Sequence, residues 1–511
     1  MHPTGLHVST PPATHRILRA AAPLPRSRPR ALPFTALLAL GVAAPNAQAR
    51  ERVDLLLRDV TVVDVVDGRL LPDRDIAVRD GRILAIEAHR TRPGYRAATT
   101  VDGNDRYVIP GLWDMHVHFG GGDALIEENA NLLPLYVAHG ITAVRDAAGD
   151  LSASVFQWRD DVAAGTRLGP RIFTSGPKIE GIGSIWPGDQ EVADDAGIDA
   201  ALDRLQAWNV DFVKITDNAL SPPLFMHALA KAKARGMTTS AHIPMVVPVL
   251  EASAAGLGSI EHIAYAWKAG APDEAGLSAK VASGALTAAQ AWDTVQASFD
   301  PAGALPAYRR LAAHGTAVTP TLNGSRVVAY LDRDDHKRDS YLQYIGPGLQ
   351  ATYAWRVERA GKDDAAAIAR RHARYERSAA ILPLLQQAGV TVLAGTDAGF
   401  LNSFNYPGIG LHDELALFVH HGLTPLQALQ AATVNGARFL KQDAENGSVA
   451  AGKRANLVLL DANPLQDIAA TRRIRAVVLE GRVYERAALD AMLEQARIAV
   501  SRQRDVAAPP H

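Results

Sequence analysis

The chain has 511 residues with 53 basic and 54 acidic side chains, a formal net charge of −1, 48% hydrophobic residues and no cysteine. Without cysteine there are no disulfides, no thiol nucleophile and no thiolate-held zinc, so a transition-metal site must draw on histidine, carboxylate or modified lysine. The near balance of charge leaves no basic footprint for nucleic acid or for an anionic membrane.

Residues 1–49 contain five arginines and no acidic residue, then an apolar run from Ala31 to Ala44 and the small-residue pattern "NAQAR". This pattern predicts a secretory signal peptide cut after Ala49. A membrane anchor is the competing reading, but the run is interrupted by Pro33 and falls short of the about 20 apolar residues that cross a bilayer. The mature protein is therefore expected to be periplasmic or secreted, with 48 basic against 54 acidic groups.

From 50 to 108 the chain reads as short β-runs, "DLLLRDVTVVDVVDG", "DIAVRDGRILAIEA" and "DRYVIPG", with Asp80-Gly81 as a hairpin turn. The same texture returns over 447–490 in "KRANLVLLDANP" and "IRAVVLEGRVY", so both ends of the mature chain are expected to pair in one small β-sandwich domain. Residues 491–511 read as a C-terminal tail.

Between these ends, over 109–446, short apolar strands alternate with helical patterns. The expected strands are Gly111–His118, Ile141–Arg145, Arg171–Ser175, Phe212–Thr216, Thr238–His242, Ser259–His262, Ala317–Thr321 and Thr391–Thr396. Eight βα units define an α/β fold of the (β/α)8 TIM-barrel type, in which functional residues gather at the C-terminal strand ends. The stretch of about 325–385 is too long for an ordinary connection and reads as a helical insertion.

"DMHVH" places His116 and His118 at i and i+2, on one face of a strand. Lys214 in "DFVKITDNA", His242 in "TTSAHIP", His262 in "SIEHIAY" and Asp397 in "LAGTDAG" also fall at strand ends. His139, His314 and His421 precede glycines at helix ends, where an imidazole can meet the helix C-terminus, and His412 and His420 belong to helix faces. One histidine at a strand end is an ordinary packed polar group; four, with an aspartate and a lysine, converge as a metal site. Lys214, between apolar neighbours, is either ion-paired or chemically changed: burial and nearby cations would leave its amine free to react with carbon dioxide, giving a carbamate able to bridge two metals. Asp397 either caps the next helix or binds a metal and shuttles a proton.

At these residues the chain resembles the amidohydrolase superfamily of metal-dependent hydrolases, over nearly all of the mature protein. The motifs "DMHVH", "FVKI", "SAHIP", "SIEH" and "AGTDAG" stand in the family's order, and "ATVNGARFL" followed by "GSVAAGKRANLVLLDANP" resembles its C-terminal passage. The resemblance implies two divalent cations, most often zinc. His116, His118 and Asp397 would hold the more buried metal and His242 and His262 the more exposed one, with N6-carboxylated Lys214 and a hydroxide between them. Within the superfamily the chain is most similar to the imidazolonepropionase-like branch that contains Xaa-Pro dipeptidases, related carboxypeptidases and ochratoxin-type amidases. It departs from many relatives in the loop after the third strand, which reads "SGPKIEGIGSIWPGDQEV" where they carry Gly-Gly-His.

The expected activity is hydrolysis of a small amide such as a dipeptide or N-acyl amino acid, with Asp397 moving the proton and with Glu261 and Asp146 either orienting the imidazoles or serving as salt-bridge partners within the barrel. Lactone or phosphotriester hydrolysis, a mononuclear cyclic-amide hydrolase, and a metal- or solute-binding protein are the competing readings. Trp186 is expected as an apolar wall, and Tyr265 and Arg326 either contact substrate or serve packing and surface roles. No nucleic-acid partner is expected and no membrane association after signal cleavage; assembly into a homo-oligomer is left open.

Overall fold

The computed structural model describes residues 50–91 and 93–507; the expected signal peptide lies outside the described residues. Among the described residues no helix is long and apolar enough to cross a membrane.

The two ends of the described chain pair in one seven-stranded sheet, ordered Arg482–Glu485, Ile474–Leu479, Leu457–Leu460, Tyr95–Pro110, Glu51–Val63, Leu70–Arg79 and Arg82–Ala88. Asp80 (φ 50°) and Gly81 (φ 71°) both adopt the positive φ that a two-residue hairpin turn requires. All the strands of the expected β domain join this one sheet, and its edge strand Arg82–Ala88 turns back to residues 452–455, with Ile83 N–H donating to Lys453 O and Gly452 N–H to Ile83 O, both at 2.8 Å. The 16-residue strand Tyr95–Pro110 takes Glu51–Val63 on one edge in parallel and Leu457–Leu460 on the other in antiparallel, so every strand joins one ladder. Alternate residues Leu55, Leu57, Val60 and Val62 share a core with Ile76, Val78, Leu457 and Leu459.

The rest is α/β, with two parallel sheets. One has the order Ala398–Gly399, Leu112–His118, Ile141–Asp146 and Arg171–Thr174; the other runs Ala317–Thr319, Ser259–Glu261, Thr239–Ala241, Val213–Ile215, Ile179–Gly181 and Gln190–Val192. Seven of the eight expected runs are strands within a residue or two of their expected bounds. The eighth, 391–396, forms only a single bridge, Val392 to Val318. It nevertheless lies between the sheets: Leu393 N–H donates to Val318 O at 2.9 Å, Met115 N–H to Ala394 O at 2.8 Å and Asp397 N–H to His116 O at 2.7 Å. At the opposite seam Asp211 N–H donates to Thr174 O at 2.9 Å.

Ile179–Gly181 and Gln190–Val192 were not expected, because three-residue strands around a glycine-rich loop carry no readable period. The segment expected as an insertion contains the helices Pro347–Thr352, Ala354–Ala360 and Ala365–Ala379. The expected tail is corrected as well. Residues 486–507 form one helix that buries Leu489, Met492, Ala496 and Val500 on a single face, against the helix Leu133–Ala138 and the turn Ser340–Tyr344. Their spacing of three, four and four is an amphipathic stripe. Met492→Ala should therefore cost roughly 2–5 kcal/mol in urea unfolding, where a free tail would give no change.

Candidate functional site

The structure brings all six expected site residues together. His116 and His118 end the strand Leu112–His118, Lys214 is the centre of Val213–Ile215, and His242 and His262 directly follow Thr239–Ala241 and Ser259–Glu261. His118, Lys214, His242, His262 and Asp397 line one cavity that opens to solvent. His116 lies beneath it, fully buried, with Nε2 at 3.2 Å from His118 Nε2. Asp397 Oδ1 is 3.0 Å from His118 Nε2 and 3.5 Å from His116 Nε2. On the other side His242 Nε2 and His262 Nε2 stand 3.0 Å apart.

These separations have a definite electrostatic meaning. His118 Nδ1 lies 2.5 Å from the carbonyl of Ala148, which can only accept, so Nδ1 carries the proton. His116 Nδ1 lies 2.6 Å from Glu261 Oε2, whose charge is held by Arg145, and is likewise the donor. Burial lowers His116 to about 3 and His262 to about 4, and also pushes His242 down, so these rings are neutral. The Nε2 lone pair of His116 therefore faces His118 Nε2 and a carboxylate oxygen. Such an arrangement is repulsive by itself and suits a bound cation. His116, His118 and Asp397 form one of three groups among the described residues whose ligand atoms are close enough to hold a metal ion; the other two, Asp334, His336 and Asp339, and Asp59, Asp73 and Asp105, are more exposed.

Lys214 is 1% exposed and its Nζ has no hydrogen-bond partner. Burial, the largest cause, lowers it to about 8, with Arg145 and Lys178 acting in the same direction. A buried amine without a partner fits a group converted to an anion and shared with cations.

Backbone strain gathers at the same place. Ala148 (φ 80°), His262 (φ 72°) and Asp397 (φ 65°) all occupy the left-handed region that non-glycine residues rarely adopt, at a cost of about 1–3 kcal/mol each. The strain turns the Ala148 carbonyl onto His118 and sets His262 and Asp397 at the sharp ends of their strands.

Glu261 orients His116 as expected, but its main partner was not foreseen. Arg145, fully buried, donates through Nη2 to Glu261 Oε2 at 2.7 Å and Oε1 at 2.8 Å, and through Nε to Met115 O at 2.5 Å. Burial raises the Glu261 carboxyl, but Arg145 and His116 outweigh it and hold it well below the usual range. Asp146 is a correction: its Oδ2 accepts from Thr174 Oγ1 at 2.7 Å, and it meets no site imidazole by a hydrogen bond. Asp114 was missed although it stands in "DMHVH". It accepts from Thr396 N–H at 2.9 Å and Thr396 Oγ1 at 2.7 Å, fixing the turn that carries Asp397, and burial raises it to about 7.

Trp186 lines the cavity as expected. Tyr265 does not: its hydroxyl donates to Asp217 Oδ2 at 2.9 Å, and its ring stacks on His242, so it supports that imidazole from behind. Arg326 is exposed and lines a different cavity with Asp339 and Tyr406, because its helix Leu322–Ala329 turns that face outward. Two cations were not foreseen. Arg356, on the helix Ala354–Ala360, brings Nη2 to 3.9 Å from Asp397 Oδ2, and Lys178 pairs with Asp189 at 2.9 Å. Neither carries a local sequence signal, since each is defined by what it meets across the fold.

The profile of the amidohydrolase family matches residues 107–484, and the chain belongs to that family, hydrolases acting on carbon–nitrogen bonds. Ochratoxinase of Aspergillus niger is 23% identical over 526 aligned positions that cover 90% of this chain and 94% of that protein. Adenine deaminase of Oleidesulfovibrio alaskensis is 37% identical over 98 residues, 19% of this chain but only 15% of the deaminase. The solved structure of bottromycin amidohydrolase matches with a TM-score of 0.67 at 24% identity, covering 87% of this chain and 90% of that one. That likeness is one of fold.

Because Glu261 fixes the His116 ring and pairs with buried Arg145, Glu261→Gln should weaken metal retention by about 10–100-fold and lower stability by up to about 3–5 kcal/mol. Metal analysis after dialysis against graded chelator, with circular dichroism in parallel, measures this; unchanged retention would show that the ring needs no such partner.

Proposed function

We propose that the chain is a binuclear metal-dependent amide hydrolase on a closed (β/α)8 barrel, secreted through residues 1–49. Its substrate would be a small amide such as a dipeptide or N-acyl amino acid. The two seams of hydrogen bonds between the parallel sheets support ring closure of the eight strand segments. The observation that carries the function is the partnerless Nζ of buried Lys214 beside four imidazoles whose Nε2 atoms face one another in pairs.

In this reading His116, His118 and Asp397 would hold one cation and His242 and His262 the other, with Lys214, once carboxylated, as a further ligand. An all-nitrogen and carboxylate donor set suits zinc. Such cations, when bound, lower the pKa of water and polarise the scissile carbonyl.

The protein's own groups supply the rest. Asp397 takes the proton of the attacking water and delivers it to the leaving nitrogen, a role suited to a carboxylate at the cavity wall. Asn402 Nδ2 donates to Asp397 Oδ1 at 3.1 Å and fixes the carboxylate plane, leaving Oδ2 toward Arg356. Ala148 and Glu261 keep the two imidazoles in the tautomer that presents Nε2. Arg356, half-buried at the wall and hydrogen-bonded through Nε to Leu401 O at 3.1 Å, offers its remaining N–H groups to a substrate carboxylate.

Lys214→Ala is expected to lower bound metal below two equivalents, to abolish the carbamate signal in ¹³C spectra of protein loaded with labelled bicarbonate, and to cut turnover. A variant that keeps full metal and full activity on dipeptides, acyl amino acids and lactones would sink the bridging role. Turnover of lactones alone would replace the amide reading.

The lowered lysine also predicts a pH dependence of assembly. Carbon dioxide adds only to the neutral amine, whose fraction falls as pH drops through about 8. Reconstituting the metal-free protein with zinc at a fixed concentration of dissolved carbon dioxide should therefore be roughly tenfold or more slower at pH 6 than at pH 8. Equal rates would remove Lys214 from the rate-limiting step.

A further inference from the structure

The loop that departs from the family pattern and the helix that carries Arg356 meet over the cavity. Trp186, from the loop between Ile179–Gly181 and Gln190–Val192, lines the cavity and touches Trp355 edge to face, with ring centroids 6.1 Å apart. Trp355 is 44% exposed, and two further apolar side chains of the same loop, Ile182 and Ile185, are 63% and 65% exposed. Three of the large exposed hydrophobic residues of the protein thus stand at or beside one mouth. Such a patch, continuous with a cavity, marks a surface that is covered in use.

Its position is built rather than loose. Lys178 pairs with Asp189 Oδ1 at 2.9 Å, Ser184 Oγ donates to Asp189 Oδ2 at 2.7 Å, and Ser184 N–H donates to Glu191 Oε1 at 2.7 Å. The loop therefore holds Trp186 in place by its polar base while its apolar groups project. On the facing side Arg356 Nε is tied to Leu401 O, which sets the neighbouring Trp355 at the rim.

The charge at the mouth selects among apolar occupants. Lys178 Nζ lies 5.5 Å from the Trp186 ring centre, and the guanidiniums of Arg359 and Arg356 lie 4.6 and 5.9 Å from that of Trp355. With Lys178 paired to Asp189, the guanidiniums of Arg359 and Arg356 beside Trp355 are what an anion would meet, so an apolar group joined to an anion matches both features.

We propose that Trp186 and Trp355 form a subsite at the mouth that holds an aromatic group of an anionic substrate, making the enzyme selective for aryl-bearing conjugates of amino acids over conjugates ending in a small alkyl group. The occupant is the distal part of the substrate whose amide bond lies at Lys214 and Asp397. The inference rests on the hydrolase reading only for the bond that is cleaved; the recognition itself is a matter of binding.

The test is therefore one of affinity. Metal-loaded protein is titrated calorimetrically with N-(2-naphthylsulfonyl)glycine and N-(methylsulfonyl)glycine, which share a carboxylate and a sulfonamide but differ in the distal group. Covering one naphthyl ring should make the first bind about tenfold or more tightly than the second. Trp355→Ala and Trp186→Ala should each bring the ratio below about two, and Trp355→Phe should largely retain it. Equal affinities in the unaltered protein, or a ratio that survives both alanine variants, would overturn the subsite. Turnover of N-(2-naphthoyl)glycine and N-acetylglycine is followed in parallel: a naphthyl preference in binding without hydrolysis of either would refute the hydrolase reading and uphold the subsite.

Discussion

One buried ion pair ties the site to the fold. Arg145, on Ile141–Asp146, reaches Met115 on one neighbouring strand, and Ser259, Glu261 and Thr319 on strands of the other sheet. Glu261 in turn accepts from Ser240 Oγ at 2.6 Å and from His116 Nδ1. Five strands from both parallel sheets thus converge on one guanidinium and one carboxylate. Two charges removed from water are expensive, and only complete pairing offsets that cost; losing either partner typically costs about 3–5 kcal/mol. The arrangement tolerates the Glu261 carboxylate only where the strands already meet, and His116 takes its orientation from the same carboxylate. Folding and preparation of the site are therefore one event at this point.

That coupling explains what could be read from the chain and what could not. His116 and His118 are legible because strand periodicity places i and i+2 on one face, and Lys214 because a lysine among Phe212, Val213 and Ile215 conflicts with its surroundings. His242, His262 and Asp397 are legible by their place at the ends of apolar runs. Arg145 is not, since an arginine closing the run "ITAVRD" looks like an exposed strand end until Glu261 is known to lie opposite it. Asp114 hides for the same reason: its partner Thr396 is 282 residues away. Element boundaries failed where tertiary pairing overrides local pattern. Residues 391–396 are held as an almost unladdered segment between two sheets, and 491–507 read as part of a tail because most of that helix is polar.

The strained residues separate the roles of strand and loop. A strand delivers a side chain to its end with little positional freedom, but it cannot by itself turn that side chain toward a neighbour on another strand. Ala148, His262 and Asp397 make that turn through left-handed backbone. Thr321, at φ 50°, does the same where its hydroxyl meets His262 Nδ1 at 2.7 Å. Regular structure sets the distance between donor atoms, and the strained residue sets their direction. Strain of this kind persists only where the surroundings over-determine it, and here the Arg145 pair and the Asp114–Thr396 contact do so.

The cavity then divides by origin. Its floor is made by strand ends, whose geometry is shared across the two sheets and leaves little room for substitution. Its rim is made by the 182–189 loop and by the helix Ala354–Ala360, each anchored by polar contacts of its own and neither needed to close the sheets. A change at the floor disturbs donor atoms already held within 3.5 Å of one another. A change at the rim alters only what the cavity admits. Trp186 stands on the rim and so bears on what the cavity admits rather than on the donor atoms of the floor.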